Sequence, residues 1–210
     1  MGLFLAVSGV VGAKKEAVVA ALSSFTATRK GSFRPGARSP EDPNTLVLLD
    51  DASRCSVLYP SDFLEWDEVS RDLSMQLGVP VFSFHIHDGD LWMFLLFDKG
   101  EQVAQFNPLP EYWDDSISDE ERTSWSGDAA AIASCIPGLA ADSIRPYLRH
   151  WNLDEDNPGK AFPEDQFSYH DCWQLCDFMK RIGLRYPLDE RGHILGETFE
   201  FVVPEHSSRN

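Results

Sequence analysis

The chain has 210 residues, of which 43% are hydrophobic, 12% aromatic and 25% charged, and its 34 acidic and 18 basic side chains give a formal net charge of −16. It is too apolar for a disordered protein, too charged for a membrane bundle, and long enough to bury a core of its own. An acidic excess of this size repels phosphate backbones, which argues against nucleic acid as a partner.

The charge is unevenly spread. Residues 1–40 hold six basic side chains against Glu16 alone, a net +5, so residues 41–210 carry −21. Four cysteines are too few for a disulfide framework, and they read as reduced thiols of a cytoplasmic protein. The apolar start, residues 2–12, precedes its lysines, the reverse of a secretory signal, and no apolar run is long enough to span a membrane.

In chain order, residues 3–11 read as a buried strand and 13–28 as a helix with Val18, Leu22 and Phe25 on one face. Gly31 to Asn44, with its Gly, Pro, Ser and arginines, is predicted to be a long loop. Leu46–Leu49 and Cys55–Tyr59 form two strands joined by an Asp-rich turn. Asp62 and Glu65 suggest a capping box that opens a helix with the stripe Phe63, Trp66, Val69, Leu73 and Leu77, and Gly78 closes it. Val81–His87 alternates, with Phe82, Phe84 and Ile86 on one face and Ser83, His85 and His87 on the other. Asp88-Gly89 is a hairpin signal, Leu91–Phe97 reads as a strand covered on both faces, and Gln102–Phe106 completes a meander. Pro108 and Pro110 end it, because proline gives no hydrogen bond to a ladder.

Residues 107–126 are an acidic, aromatic loop with a short helix at Asp119–Ser124. Short helices are expected at 127–136 and 141–150, a second acidic loop over 152–166, a strong helix from Ser168 to Ile182, and a terminal strand over Thr198–Val203. The expected fold is therefore a single α+β domain. An antiparallel sheet of ferredoxin-like β-α-β-β-α-β order occupies 1–107, extended by the meander, and a mainly helical half with a terminal strand occupies 108–210.

Two surfaces offer chemistry. His85 and His87 share a strand face and, with Asp90 (or Asp88) at its end, present a mixed nitrogen and oxygen set suited to a divalent metal and water activation. His170 or His193 would have to complete it. Alternatively, Glu111, Tyr112, Trp113, Asp114 and Asp115 combine aromatic anchors with an acidic rim, the composition of a surface for a basic protein partner. The acids of 152–171 would extend that surface.

Other motifs carry less. Cys172 and Cys176 fall on the apolar stripe of their helix and read as structural. Gly9 to Lys14 lacks the spacing of a phosphate loop, there is no nucleophile elbow, and the basic segment Arg29–Arg38 reads as a solvated or self-paired loop. In acidity and α+β character the chain is similar to bacterial immunity proteins, which neutralise basic toxins, although no motif carries the likeness. The expected function is a non-enzymatic cytoplasmic interaction protein of this type, without a cofactor. A metal-dependent hydrolase or metal-binding protein at His85, His87 and Asp90 is the alternative.

Overall fold

The computed structural model describes residues 2–36, 39, 42–61 and 63–204. Its centre is an open eight-stranded sheet in which every pairing is antiparallel. The strands are β1 (Leu5–Val11), β2 (Ser32–Pro35), β3 (Thr45–Asp51), β4 (Arg54–Leu58), β5 (Pro80–His87), β6 (Leu91–Asp98), β7 (Glu101–Phe106) and β8 (Glu197–Val202). Across the sheet they run β2-β8-β3-β4-β1-β5-β6-β7. The helices are α1 (Lys15–Thr28), α2 (Trp66–Leu77), α3 (Asp119–Ser124), α4 (Ala129–Cys135) and α5 (Gln174–Arg181). No helix among the described residues is long and apolar enough to cross a membrane.

The alternation of the central strands builds two cores. On one face, Ala6 and Val10 of β1 and Val81 of β5 pack with Leu22 and Phe25 of α1 and Leu73 of α2. On the other, Phe82, Phe84 and Ile86 of β5 pack with Trp92 and Phe94 of β6 and with the chain beyond residue 106. The C-terminal half thus covers the face that α1 and α2 leave open, which accounts for the doubly buried character of β6. Phe178 of α5 is the plug of this second core. Its ring lies 5.3–6.1 Å from those of Trp92, Phe94, Phe82, Phe84 and Tyr147.

Several expected elements change. The predicted loop after α1 contains β2, which inserts a strand into the expected β-α-β-β-α-β order. Its Phe33 stacks on Phe199 of β8 at 4.8 Å, a contact no local pattern reveals. Asp62 lies outside the described residues, and α2 starts only at Trp66, with Glu65 as its uncapped N-terminal flank. Glu65 instead binds Arg29 at 3.0 Å. Gly78 does end α2 in the left-handed conformation, at φ 66°.

The helix expected over Ser168–Ile182 forms only at Gln174–Arg181, because His170 adopts φ 68° and the Asp171 carboxylate accepts the Trp173 N–H at 2.9 Å. The helix expected at 141–150 is two 3-10 turns, Ala141–Ser143 and Arg145–Tyr147, since Pro146 disfavours the helical conformation of the residue before it.

Phe178→Ala should destabilise the protein by about 3–5 kcal/mol, as expected for a large ring removed from a closed aromatic cluster. Urea unfolding measures this, and a loss below about 1 kcal/mol would show that the second core does not depend on α5.

Candidate functional site

The β5–β6 hairpin sets the site. Asp88 and Gly89 adopt φ 54° and 78°, the left-handed pair that a tight hairpin requires, and His87 pairs with Leu91 across it. The alternation of β5 then turns Ser83, His85 and His87 toward the α2 side of the sheet. The His85 ring stacks flat on Trp66, with centroids 4.3 Å apart and planes 5° from parallel. His85 is 7% exposed, and its Nδ1 has no hydrogen-bond partner. Burial lowers its pKa to about 4, helped by the neighbouring His87 and opposed by the Leu5 backbone.

His87 continues the cluster outward. Its ring centroid is 5.7 Å from His85, 5.0 Å from Phe4, 5.7 Å from Tyr112 and 5.0 Å from Trp113, the last three edge to face. Tyr112 and Trp113 meet each other at 5.1 Å and 76°. The Tyr112 hydroxyl donates to Asp90 at 2.6 Å, and that bond holds its proton, pushing its pKa up to about 12. Phe4, Tyr112 and Trp113 remain 40%, 37% and 53% exposed.

The two candidate surfaces of the sequence are therefore one place. His87 belongs to the histidine pair and touches both aromatic anchors, and Asp90 binds one of them. Of the flanking acids, Asp114 accepts the Ser116 N–H and hydroxyl, which holds its carboxyl below the ordinary range, and Glu111 pairs with Arg122 at 2.9 Å. Asp115 is exposed.

The remote metal-ligand candidates lie against other residues, and the Nε2 of His170 is buried without a hydrogen-bond partner. His170 packs against Trp151, with ring centroids 5.6 Å apart, and His193 pairs with Asp189 at 2.9 Å. Among the described residues, no group of three or more His, Cys, Asp or Glu side chains is gathered to hold a metal. The cysteines are free, and burial pushes the Cys55 and Cys172 thiols up to about 11 and Cys176 up to about 12, away from the reactive thiolate.

Two of the basic candidates, Arg29 and Lys15, are engaged within the fold. Arg29 is held by Glu65 and Glu68 and lies over the Phe25 ring. Lys15 pairs with Glu197 at 2.6 Å, and the Gly12 N–H donates to Ser53 O at 2.7 Å, so the Gly9–Lys14 turn is bound within the fold. Arg38 lies outside the described residues. In the second acidic loop, Glu164 and Asp165 pair with Arg181 and Glu155 pairs with Arg149. An open depression of about 310 Å³ runs beside β7, lined by Gln102–Gln105, Thr123, Ser124, Gly127 and Asp128, with Asp128 its sole ionisable lining residue.

Sequence reasoning missed the roles of Trp66, Asp67 and Phe4. Trp66 reads as one more apolar stripe residue, Phe4 as part of a buried strand, and Asp67 carries no signal of its own. In the fold, burial raises the Asp67 carboxyl to about 6, opposed by a hydrogen bond from Ser83, and Asp67 Oδ1 has no partner. The Ser83 hydroxyl is within reach of both this carboxylate and the Trp66 carbonyl, the latter at 3.2 Å. No family model, characterised protein or solved structure matches the chain.

Asp67 and His85 should give the stability opposite slopes with pH. The folded state holds the Asp67 proton up to about pH 6 and the unfolded chain only to about 3.8, so this group destabilises the fold as pH rises through that window. His85 stays neutral in the fold down to about pH 4 while the unfolded imidazole takes up a proton below 6.5, so stability falls as pH drops from 6.5 to 4. Asp67→Asn should therefore gain on the order of 1–2 kcal/mol over the parent at pH 7 and nothing at pH 4. His85→Phe, which keeps a ring on Trp66, should lose less stability than the parent on acidification. Urea unfolding from pH 4 to 7 tests both, and parallel profiles for all three proteins would refute the assignment.

Proposed function

We propose that this chain is a non-enzymatic, cytoplasmic interaction protein of the immunity type, whose acidic surface receives a basic protein partner at the cluster around His87. The observation that carries the reading is the convergence of exposed Phe4, Tyr112 and Trp113 on His87, with Asp90 hydrogen-bonded to Tyr112 and Asp114 and Asp115 adjacent in sequence. Rigid aromatic side chains contribute most of the energy of a typical interface, and surrounding charge sets the encounter rate. The net charge of −16 suits a basic partner, and four free cysteines suit a reducing compartment.

The exposure of Tyr112 and Trp113 beside His87 favours residues 111–115 over 152–171 as the centre of the contact. The metal-dependent alternative has less support, because Asp90 is held by Tyr112 and His85 by Trp66. We also read β1, β3, β4 and β5 as a ferredoxin-like unit. The neighbour order β3-β4-β1-β5 and the packing of α1 and α2 in one core support that reading.

Replacing Tyr112 and Trp113 together by Ala should abolish capture of a basic partner and change stability by less than about 2 kcal/mol, since both rings are already substantially exposed. Binding should weaken as salt is raised, mainly through a slower association rate. Undiminished capture by the double variant, or binding indifferent to salt, would reject the reading.

A further inference from the structure

Strand β7 ends the sheet, and among the described residues it pairs along its length with β6 alone. The opposite edge, β2, is four residues long and closes with Pro35, a device that keeps further strands away. Within β7 there is neither proline nor lysine, Glu101 is the one charge, and residues 101–103 are exposed.

A ninth strand starts beside β7 and stops after one residue. Ser126 forms an antiparallel bridge with Phe106, and the Asn107 N–H donates to Trp125 O at 3.0 Å. Gly127 then turns the chain away at φ 70°, and the Asp128 carboxylate caps α4 by accepting the Ala130 and Ala131 N–H groups. Asn107 points its N–H to the outer edge, so by the alternation of an antiparallel ladder Gln105 does the same. Where the new strand would have continued lies the open depression of about 310 Å³, with Gln102–Gln105 on one side and Ser124, Gly127 and Asp128 on the other. The Gln105 side chain donates to Ser124 Oγ at 3.1 Å and ties the two walls together.

The surroundings are acidic. Asp128 is the ionisable residue of the lining, and α3, which contributes Thr123 and Ser124, opens with exposed Asp119, Glu120 and Glu121. The one cation of that helix, Arg122, pairs with Glu111. Arg71 and Lys99 stand at the far end, where Arg71 donates to Gly100 O at 2.8 Å and Lys99 precedes Glu101.

We propose that the outer edge of β7 receives an extended peptide segment bearing lysine or arginine, which runs antiparallel to β7 along the depression and continues the strand that Ser126 begins. Main-chain hydrogen bonds hold such a segment, and the acids beside it select its charge. A second copy of this chain fits less well. Its net charge of −16 repels its like, and Val103 has no partner on β6, a bulge that breaks the straight edge two β7 strands would share. The inference is argued from β7 and α3 and stands apart from the His87 surface.

The probe is a short acetylated, amidated peptide of alternating lysine and threonine, with a counterpart that has glutamate for lysine. Calorimetry should show the lysine peptide binding the parent protein and the glutamate peptide binding at least about tenfold more weakly. Gln105→Pro, which removes the outward N–H, should weaken the lysine peptide about tenfold, whereas Gln105→Ala, which removes only the side chain, should leave it within about twofold. In the parent, the Gln105 amide should gain hydrogen-exchange protection when the peptide is added, a measurement that needs no variant to fold. Absence of binding, equal affinity for both peptides, or an unchanged Gln105 amide would overturn the proposal. Binding lost in the Tyr112→Ala/Trp113→Ala variant and kept in Gln105→Pro would move the peptide to the His87 surface and overturn it as well. The reverse result supports the β7 edge whatever becomes of the His87 surface. A dimer in sedimentation that Gln105→Pro dissociates would make a second copy the occupant and reject the peptide.

Discussion

Strand β5 is buried on both sides, and its two-residue period decides what each residue can do. Phe82, Phe84 and Ile86 are fully enclosed in the core that Phe178 plugs. The intervening Ser83, His85 and His87 emerge under α2. A shift of one residue in the pairing with β1 and β6 would exchange the two sets and bury three polar side chains among phenylalanines, at a cost of several kcal/mol. The register is thus fixed by the aromatic face, and the polar face is carried into position by it. The candidate site is the polar remainder of a strand whose other side is committed to packing.

The same economy governs charge. Much of the positive charge is consumed inside the molecule. Arg181 is the clearest case, with Glu164, Asp165, the Tyr147 hydroxyl and the Phe162 ring all around one guanidinium. The buried Asp165 carboxylate also accepts the Tyr147 hydroxyl at 2.7 Å and the Phe162 N–H at 3.0 Å, so this network fastens the loop before α5 to the second core. Arg29 ties the end of α1 to the start of α2 in a similar way. With cations spent on tying elements together, the acidic excess is left to the surface, where it acts at long range on whatever approaches.

Features encoded within a few residues were legible in the sequence. The Asp88-Gly89 hairpin, the Gly78 stop and the break after Phe106 each follow from one backbone requirement, and Asn107 confirms the last by accepting the Leu109 N–H at 2.9 Å. Features that depend on distant partners were not. Ser32–Pro35 becomes a strand because β8, some 165 residues later, offers it an edge and a phenylalanine to stack on. Tyr112 and Trp113 were identified as exposed anchors, but their meeting with His87 depends on how the chain returns past the hairpin after β7. Trp66 and Asp67 were illegible for a different reason. Helical periodicity assigns a residue to a face without saying what lies opposite, and the meeting of Trp66 with His85 and Ser83 of β5 is a contact between distant segments.

The energetics of that helix–sheet contact bear on why the polar residues are there. Apolar side chains at positions 67 and 85 would remove two unpaired acceptors from a half-buried setting, a change that generally favours stability. Nearby polar groups show how the fold treats such atoms when they serve only structure. Ser8 meets both Tyr59 and Ser70 at 2.7 Å, and Ser74 accepts the Gly100 N–H while donating to Val79. Those hydroxyls, one turn or one strand away, are satisfied. Among the described residues of this helix–sheet contact, Asp67 Oδ1 and His85 Nδ1 have no partner, and His85 adjoins His87, around which Phe4, Tyr112 and Trp113 remain exposed. Unpartnered buried atoms also occur around the second core, at Trp151, His170 and Gln174, so an orphaned polar atom does not by itself mark a site; what distinguishes His85 is that His87 joins it to the exposed rings of Tyr112 and Trp113.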